Sequence, residues 1–321
     1  MDATTAAIPD VAVSGRRLLT DVERECWNRD GYLHVRNALD SEQVLRLLEH
    51  LKGLREEFES ASGKEEYWRD VFDAGNDRDL SLNNALRWCP GIDGLIDHPR
   101  IFEKVLALMG PHIQCVGSEI YVRYRGEEPL FDFHTDLGPS LRTVSPVSEK
   151  VIQLKAQVFL SNVVEPDCGN FTVVPGSHLT GFPGKISYAH VENRVQVLAA
   201  AGDVVLFPLS LGHGVAPNRR GDTRYSVIMR YAQMFCRSVD YWTSPSDPIM
   251  ERLSPRQRRL MGDLGGHNRP GDFYGMIPDQ LELMYGDEWR ASPEAQAEFG
   301  IFRQMMSATP YRHPGINPEG G

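Results

Sequence analysis

The spacing of hydrophobic positions changes its period along the chain. Val44, Leu47, Leu48, Leu51 and Leu54 recur at helical intervals after Asp40 and Gln43, and Thr20-Asp21-Val22-Glu23 has the spacing of a capping box, so two helices are predicted early in the chain. The run LIDHPRIFEKVLALMG predicts another amphipathic helix, giving a mainly helical first region to about Gly110. Between them, Gly63 to Pro99 is rich in Asp, Asn, Gly and Trp without a clear period and is expected to be a long irregular insertion.

From Ile113 to about Gln233 the period becomes two. Glu119–Arg125, Val151–Leu160, Phe171–Val174, Asp203–Pro208 and Thr223–Ala232 are short, rich in β-branched and aromatic residues, and bounded by Gly, Pro, Asn or Asp. They predict a mainly β sandwich or barrel with flanking helices. Beyond Phe235 the pattern is irregular again, with Pro and Gly clusters and room for one or two short helices. The expected organisation is a flexible lead over 1–19, one domain over 20–235, and an extension over 236–321 that packs on the same domain and can serve as a lid.

Composition narrows the class. Of the 321 residues 41% are hydrophobic and 24% charged, near the averages for a soluble globular protein, and no apolar run is long enough to span a bilayer. The net charge of −10 argues against nucleic acid or an anionic membrane as partner. Five scattered cysteines without a CxxC pair suggest neither a disulfide framework nor a zinc site, and the start of the chain lacks the features of a secretory signal. A cytoplasmic protein acting on a small molecule is expected.

The candidate chemistry lies in the β-rich middle. In FDFHTDLGPS, His134 and Asp136 stand two residues apart, so an extended backbone puts both on one face. His213, in LGHGVAPN, follows an apolar strand at a rim position from which it can reach inward. Two imidazoles and one carboxylate on one face of an octahedral ion leave three positions open, as in iron(II) oxygenases. An HxD pair alone is weak evidence, and His213 taken alone reads better as a turn residue bonded to a backbone carbonyl.

Arg224, eleven residues after His213, opens the strand TRYSVIMRY, in which Ser226, Ile228 and Arg230 share its face. Facing inward, its planar fork suits a carboxylate, and Ser226 can add a hydroxyl contact. Arg219, Arg220 and Arg230 are rival anchors on sequence alone. In VIQLKAQVFL, alternation puts Gln153, Lys155 and Gln157 on one face, either lining a cavity, where Gln157 or Lys155 can meet co-substrate or substrate, or facing solvent. Tyr121 and Arg123 can line the barrel mouth, whereas Ser177 and His178 after Pro175-Gly176 read as a turn.

Taken in order, FHTD, GNFTVVPGSH, GDVVLFP, GHG and an Arg eleven residues after the distal His resemble the phytanoyl-CoA dioxygenase family of iron(II)/2-oxoglutarate enzymes, over roughly Arg24 to Ala232. The opening DGYLHVRNALDSEQV is similar to that family's first strand and helix. The resemblance implies a double-stranded β-helix (jelly roll, cupin-like) with His134, Asp136 and His213 as iron ligands and Arg224 as the 2-oxoglutarate anchor. It implies C–H oxidation by O2 with release of succinate and CO2: hydroxylation first, with desaturation or ring closure as variants. Asp136 stands where related halogenases carry a small residue, which disfavours halogenation.

One departure is Cys168-Gly169-Asn170, where many members have Asn-Gly, which leaves the role of Asn170 open. The family name does not fix the substrate, and an acidic chain is a poor match for a CoA thioester. A small or specialised metabolite is expected, polar and glycosylated if the segments Tyr67–Pro99 and Tyr241–Tyr274 form its lids. The competing readings are a cupin-like metalloenzyme independent of 2-oxoglutarate and a non-catalytic ligand-binding barrel.

Overall fold

The computed structural model describes residues 18–60, 79–137, 151–182, 184–240, 245–263, 278–286 and 289–291. The chain divides into two compact units, one over 19–263 and one made of 1–18 with 264–321. In the larger unit, helix α1 (Asp21–Asp30) begins at a complete capping box: Thr20 Oγ1 accepts the Glu23 N–H at 3.2 Å, and Glu23 Oε2 accepts the Thr20 N–H at 2.7 Å. It ends at Gly31, whose φ of 80° favours glycine; a Cβ there would also stand 2.2 Å from His178 Nδ1.

Strand β1 (Leu33–Val35) follows, then α2 (Ser41–Ser60), where Asp40 and Gln43 exchange the same reciprocal pair of bonds at 2.8 and 2.9 Å. Val44, Leu47, Leu51 and Leu54 form the buried stripe that their spacing predicts. Part of the expected irregular insertion is ordered. Strand β2 (Leu80–Asn83), a helical turn at Ala85–Trp88 and a 3-10 helix at Pro90–Leu95 occupy its second half, while 61–78 lie outside the described residues. β2 escapes a local reading because it is four residues long and is made by pairing Leu80 and Leu82 with Val122 and Ile120.

After α3 (Pro99–Met109) come β3 (Ile113–Arg123), β4 (Phe131–His134), β5 (Gln153–Phe159), β6 (Phe171–Val173), β7 (Val195–Gln196), β8 (Val204–Pro208), β9 (His213–Val215) and β10 (Arg224–Gln233). They form a six-stranded sheet ordered β1-β8-β5-β10-β3-β2 and a four-stranded sheet ordered β4-β9-β6-β7, all antiparallel. Helices α4 (Asp247–Arg252) and α5 (Pro255–Leu260) close this unit, and α6 (Pro278–Tyr285) with a 3-10 turn at Trp289–Ala291 is described in the other. Among the described residues the segment after Phe235 thus holds three short helices where one or two were predicted. Among the described residues no helix is long and apolar enough to cross a membrane.

The two faces of the large sheet differ in chemistry, and this positions the site. Outward, Tyr225, Val227, Met229 and Tyr231 of β10 are buried, the last three aligned with Val158, Ala156 and Leu154 of β5; Phe102 of α3 stacks obliquely on Tyr231 at 6.3 Å. Inward, the register aligns Arg224 with Arg123, Ser226 with Tyr121 and Phe159, Ile228 with Glu119 and Gln157, and Arg230 with Lys155. Nearer the small sheet, Phe159, Phe171, Phe207, Val173, Val205 and Leu211 pack as a hydrophobic core.

The role that the sequence left open for Asn170 is structural. Fully buried, it donates from Nδ2 to the carbonyls of Val163 (2.9 Å) and Val197 (3.1 Å) and accepts the Cys168 N–H at 2.9 Å. Asn170→Ala strands three backbone groups and is expected to cost about 2–4 kcal/mol in denaturant unfolding. A loss below about 0.5 kcal/mol would show that water replaces the amide.

Candidate active site

His134 and His213 are paired directly across the β4/β9 ladder, with ring centroids 4.5 Å apart. Gly214 permits this approach, since a Cβ there would lie 2.9 Å from the Phe131 carbonyl oxygen. His213 therefore opens a short strand, and a three-residue strand with a glycine at its centre carries no alternation of its own. Asp136 lies just past β4, its backbone N–H held by the Leu209 carbonyl at 3.0 Å.

Each imidazole is oriented by its Nδ1, which donates to the carbonyl two residues earlier: His134 to Asp132 at 2.8 Å and His213 to Leu211 at 2.9 Å. Both Nε2 lone pairs are thereby turned toward Asp136, at 3.7 Å from Oδ1 for His134 and 3.5 Å from Oδ2 for His213. Phe171 and Phe207 flank the His213 ring at 5.4 and 5.0 Å. Burial, with some help from the neighbouring His134 and Lys155, pulls His213 down to about 4, so it is neutral and able to ligate at neutral pH. Burial alone would raise the Asp136 carboxyl, but Lys155, His213 and His134 outweigh it and hold it well below the usual carboxylate range.

One donor atom from each of the three residues lies within 4.8 Å of the others. Two imidazole nitrogens and a carboxylate oxygen, held from the protein side, suit iron(II).

Arg224 opens β10 as predicted and is 1% exposed. Its Nη1 donates to the Gly169 carbonyl at 2.7 Å, its Nε has no partner, and among the described residues no carboxylate forms an ion pair with it. Burial, then repulsion from Arg123, lowers its guanidinium to about 10. The rivals differ: Arg219 is half-exposed and pairs with Glu127 and Asp167, Arg230 pairs with Glu119, and Arg220 is exposed. Ser226 is buried beside Arg224 in the same face, and its Oγ accepts from Gln157 Nε2 at 3.3 Å. The solvent-facing reading of β5 fails, because Lys155 and Gln157 are both buried against the cavity.

The three candidate ligands, Lys155, Gln157 and Arg224 line one cavity of about 1160 Å³, and Ser226 lies behind its wall. Its wall also includes Asn83, Asn84, Lys185 and Asp240. Of the expected mouth residues, Tyr121 lines the cavity, while Arg123 is tied to Asp79 and the Glu128 carbonyl. Ser177 opens a helical turn and caps the Gly212 N–H at 2.8 Å; His178 packs under Gly31, away from the candidate ligands. Of the two expected lids, 67–78, 241–244 and 264–274 lie outside the described residues.

Glu119 and Asp240 went unnoticed in the sequence. Glu119 shares the face of Tyr121 and Arg123, so the alternation that singles out those two would have reached it two residues earlier. Asp240 sits in an irregular segment that gives no signal. Burial pushes the Asp240 carboxyl up to about 6, against hydrogen bonds from Ser118 and the pull of Arg230. Its folded value exceeds the ordinary 3.8, so its stabilising contribution is complete below about pH 4 and lost as pH rises through about 6. Asp240→Asn, neutral throughout, is expected to raise the thermal midpoint by a few degrees at pH 8 and to leave it unchanged at pH 4. Equal midpoints for the two proteins at pH 8 would contradict this.

A profile of the phytanoyl-CoA dioxygenase (PhyH) family matches residues 27–226. The chain belongs to the phytanoyl-CoA dioxygenase family. Two uncharacterised proteins, Rv1501 of Mycobacterium tuberculosis and Mb1539 of Mycobacterium bovis, are each 28% identical over 111 residues, 33% of this chain; the match spans 40% of their own length. Among solved structures, SnoK, a non-haem alpha-ketoglutarate-dependent carbocyclase from nogalamycin biosynthesis, aligns with a TM-score of 0.53 and 23% identity over 74% of this chain and 92% of its own. HygX from Streptomyces hygroscopicus, with nickel, 2-oxoglutarate and hygromycin B bound, aligns with a TM-score of 0.52 and 19% identity over 68% of this chain and 90% of its own. At these identities the two structures establish the shared fold, the double-stranded β-helix of two facing sheets.

Proposed function

We propose that this family member is an iron(II)- and 2-oxoglutarate-dependent dioxygenase that oxidises a C–H bond of a small specialised metabolite. The observation that carries the proposal is Arg224, a buried guanidinium without an anionic partner among the described residues, lining the same cavity as the His134–Asp136–His213 donor set. Desolvating a cation without a counter-ion is costly, so the arrangement favours an anion that arrives with the reaction. The far carboxylate of a dicarboxylic co-substrate meets that need, with its other end at the metal.

His134, Asp136 and His213 would hold the ion. When bound, iron(II) with 2-oxoglutarate and O2 supplies the oxidising power for C–H cleavage, and succinate and CO2 are the co-products. The protein does the rest through position. The carbonyls of Asp132 and Leu211 fix both imidazole planes, Phe171 and Phe207 keep water from the back of His213, and Arg224 with Ser226 and Gln157 sets the depth of the co-substrate. Substrate then occupies the outer cavity, where Asn83, Asn84, Lys185 and Asp240 favour a compound rich in polar groups. Hygromycin B bound to HygX and the nogalamycin origin of SnoK are consistent with a specialised metabolite. A cytoplasmic location and a small-molecule partner complete the proposal.

The test is calorimetric titration of 2-oxoglutarate into the protein with and without manganese(II) as an oxygen-stable stand-in for iron. Binding that requires the metal supports the proposal. Equal binding in its absence, or none in either case, contradicts it.

A further inference from the structure

Opposite the His pair, the inward face of the large sheet carries alternating charges. Lys155 Nζ lies 2.9 Å from Asp136 Oδ2 and 3.8 Å from Glu119 Oε2. Glu119 is in turn held by Tyr121, whose hydroxyl donates to Oε2 at 2.9 Å, and by Arg230, which pairs with Oε1. Lys155 and Glu119 are 4% and 1% exposed. Arg230 and Lys155 are opposite each other in the β10/β5 register, so the backbone itself sets this ladder.

We infer that Lys155 is a positioning residue that occupies one carboxylate oxygen of Asp136, leaving a single oxygen for the metal and a coordination position open for 2-oxoglutarate. The inference rests on the metal-centre reading above. A lysine ammonium beside a metal ligand does not serve metal affinity, because it repels the incoming cation. What it supplies is orientation: the ammonium stands in an ion pair 2.9 Å from Oδ2, the oxygen that also faces His213 Nε2 at 3.5 Å, while Oδ1 remains on the His134 side. A carboxylate free to turn both oxygens to a metal would occupy one of the three positions that the co-substrate and oxygen need. Glu119, locked by Tyr121 and Arg230, keeps the flexible lysine stem in place.

The test uses the full chain loaded with cobalt(II), whose visible absorption reports coordination. Spectra are recorded without 2-oxoglutarate, followed by titration of 2-oxoglutarate and, separately, of cobalt. In Lys155→Met the inference expects a changed cobalt spectrum, cobalt affinity equal to or tighter than wild type, and 2-oxoglutarate affinity weaker by about tenfold or more. If the single variant does not fold, Lys155→Met with Glu119→Gln, which removes the ladder's charge pair together, is read against the same expectations.

An unchanged cobalt spectrum overturns the inference; accompanied by weakened 2-oxoglutarate binding, it means that Lys155 touches the co-substrate and not Asp136. A folded variant that loses cobalt also overturns it, since Lys155 would then be needed to build the centre. Failure of the underlying reading looks different: wild type gives no cobalt absorption, or His134→Ala retains it.

Discussion

Arg224→Ala weakens 2-oxoglutarate binding to the metal-loaded protein by about two to four orders of magnitude, read by calorimetry, while metal affinity stays at the wild-type level. The size follows from losing two charge-assisted hydrogen bonds of ~1.5–3 kcal/mol each to a carboxylate. The ligand-free protein should not suffer, because Arg224 is buried with an unpartnered Nε, and its removal costs chiefly the bond to the Gly169 carbonyl. A thermal midpoint held near wild type, together with lost co-substrate binding, separates an anion anchor from a structural arginine. Arg224→Lys keeps the charge without the planar fork and should recover only part of the affinity. Wild-type 2-oxoglutarate affinity in Arg224→Ala would mean that another cation takes the far carboxylate.

The second large effect concerns Asp136. Asp136→Ala removes the only carboxylate of the donor set and is expected to lower iron(II) affinity by more than about a hundredfold and to abolish 2-oxoglutarate turnover. The fold persists, because the other two ligands are oriented by backbone carbonyls and not by Asp136. The same change releases Lys155, whose remaining carboxylate neighbour is Glu119. Competition of iron against a chromophoric chelator, with circular dichroism as the folding control, checks both parts. Metal affinity within a few-fold of wild type would move the centre away from these residues.

Much of this site was legible in the sequence because its residues sit on elements whose period is visible. Alternation through β10 assigned Arg224 and Ser226 to one face, and the same pattern through β5 put Lys155 beside Gln157. What remained hidden came from pairing between distant segments. No local pattern reveals that β9 is a strand, since His213–Val215 becomes one only through its partners β4 and β6. The ion pair of Lys155 with Asp136 is a contact between a strand and the residue just past another, invisible until register is fixed. The choice of Arg224 among four arginines likewise depended on which of the others found acids or solvent, a tertiary outcome. Asn170 shows the converse: a motif position that departs from the family pattern keeps a defined structural task, because its amide satisfies three backbone groups at once.

The most direct test of the central claim is succinate release. Protein loaded with iron(II) without oxygen is mixed with 2-oxoglutarate and exposed to air, and succinate is quantified for wild type, Asp136→Ala and Arg224→Ala. The account predicts slow succinate formation by wild type even without its substrate, and none above background in either variant. Succinate made equally by all three proteins, or by none of them although wild type holds iron, would contradict it.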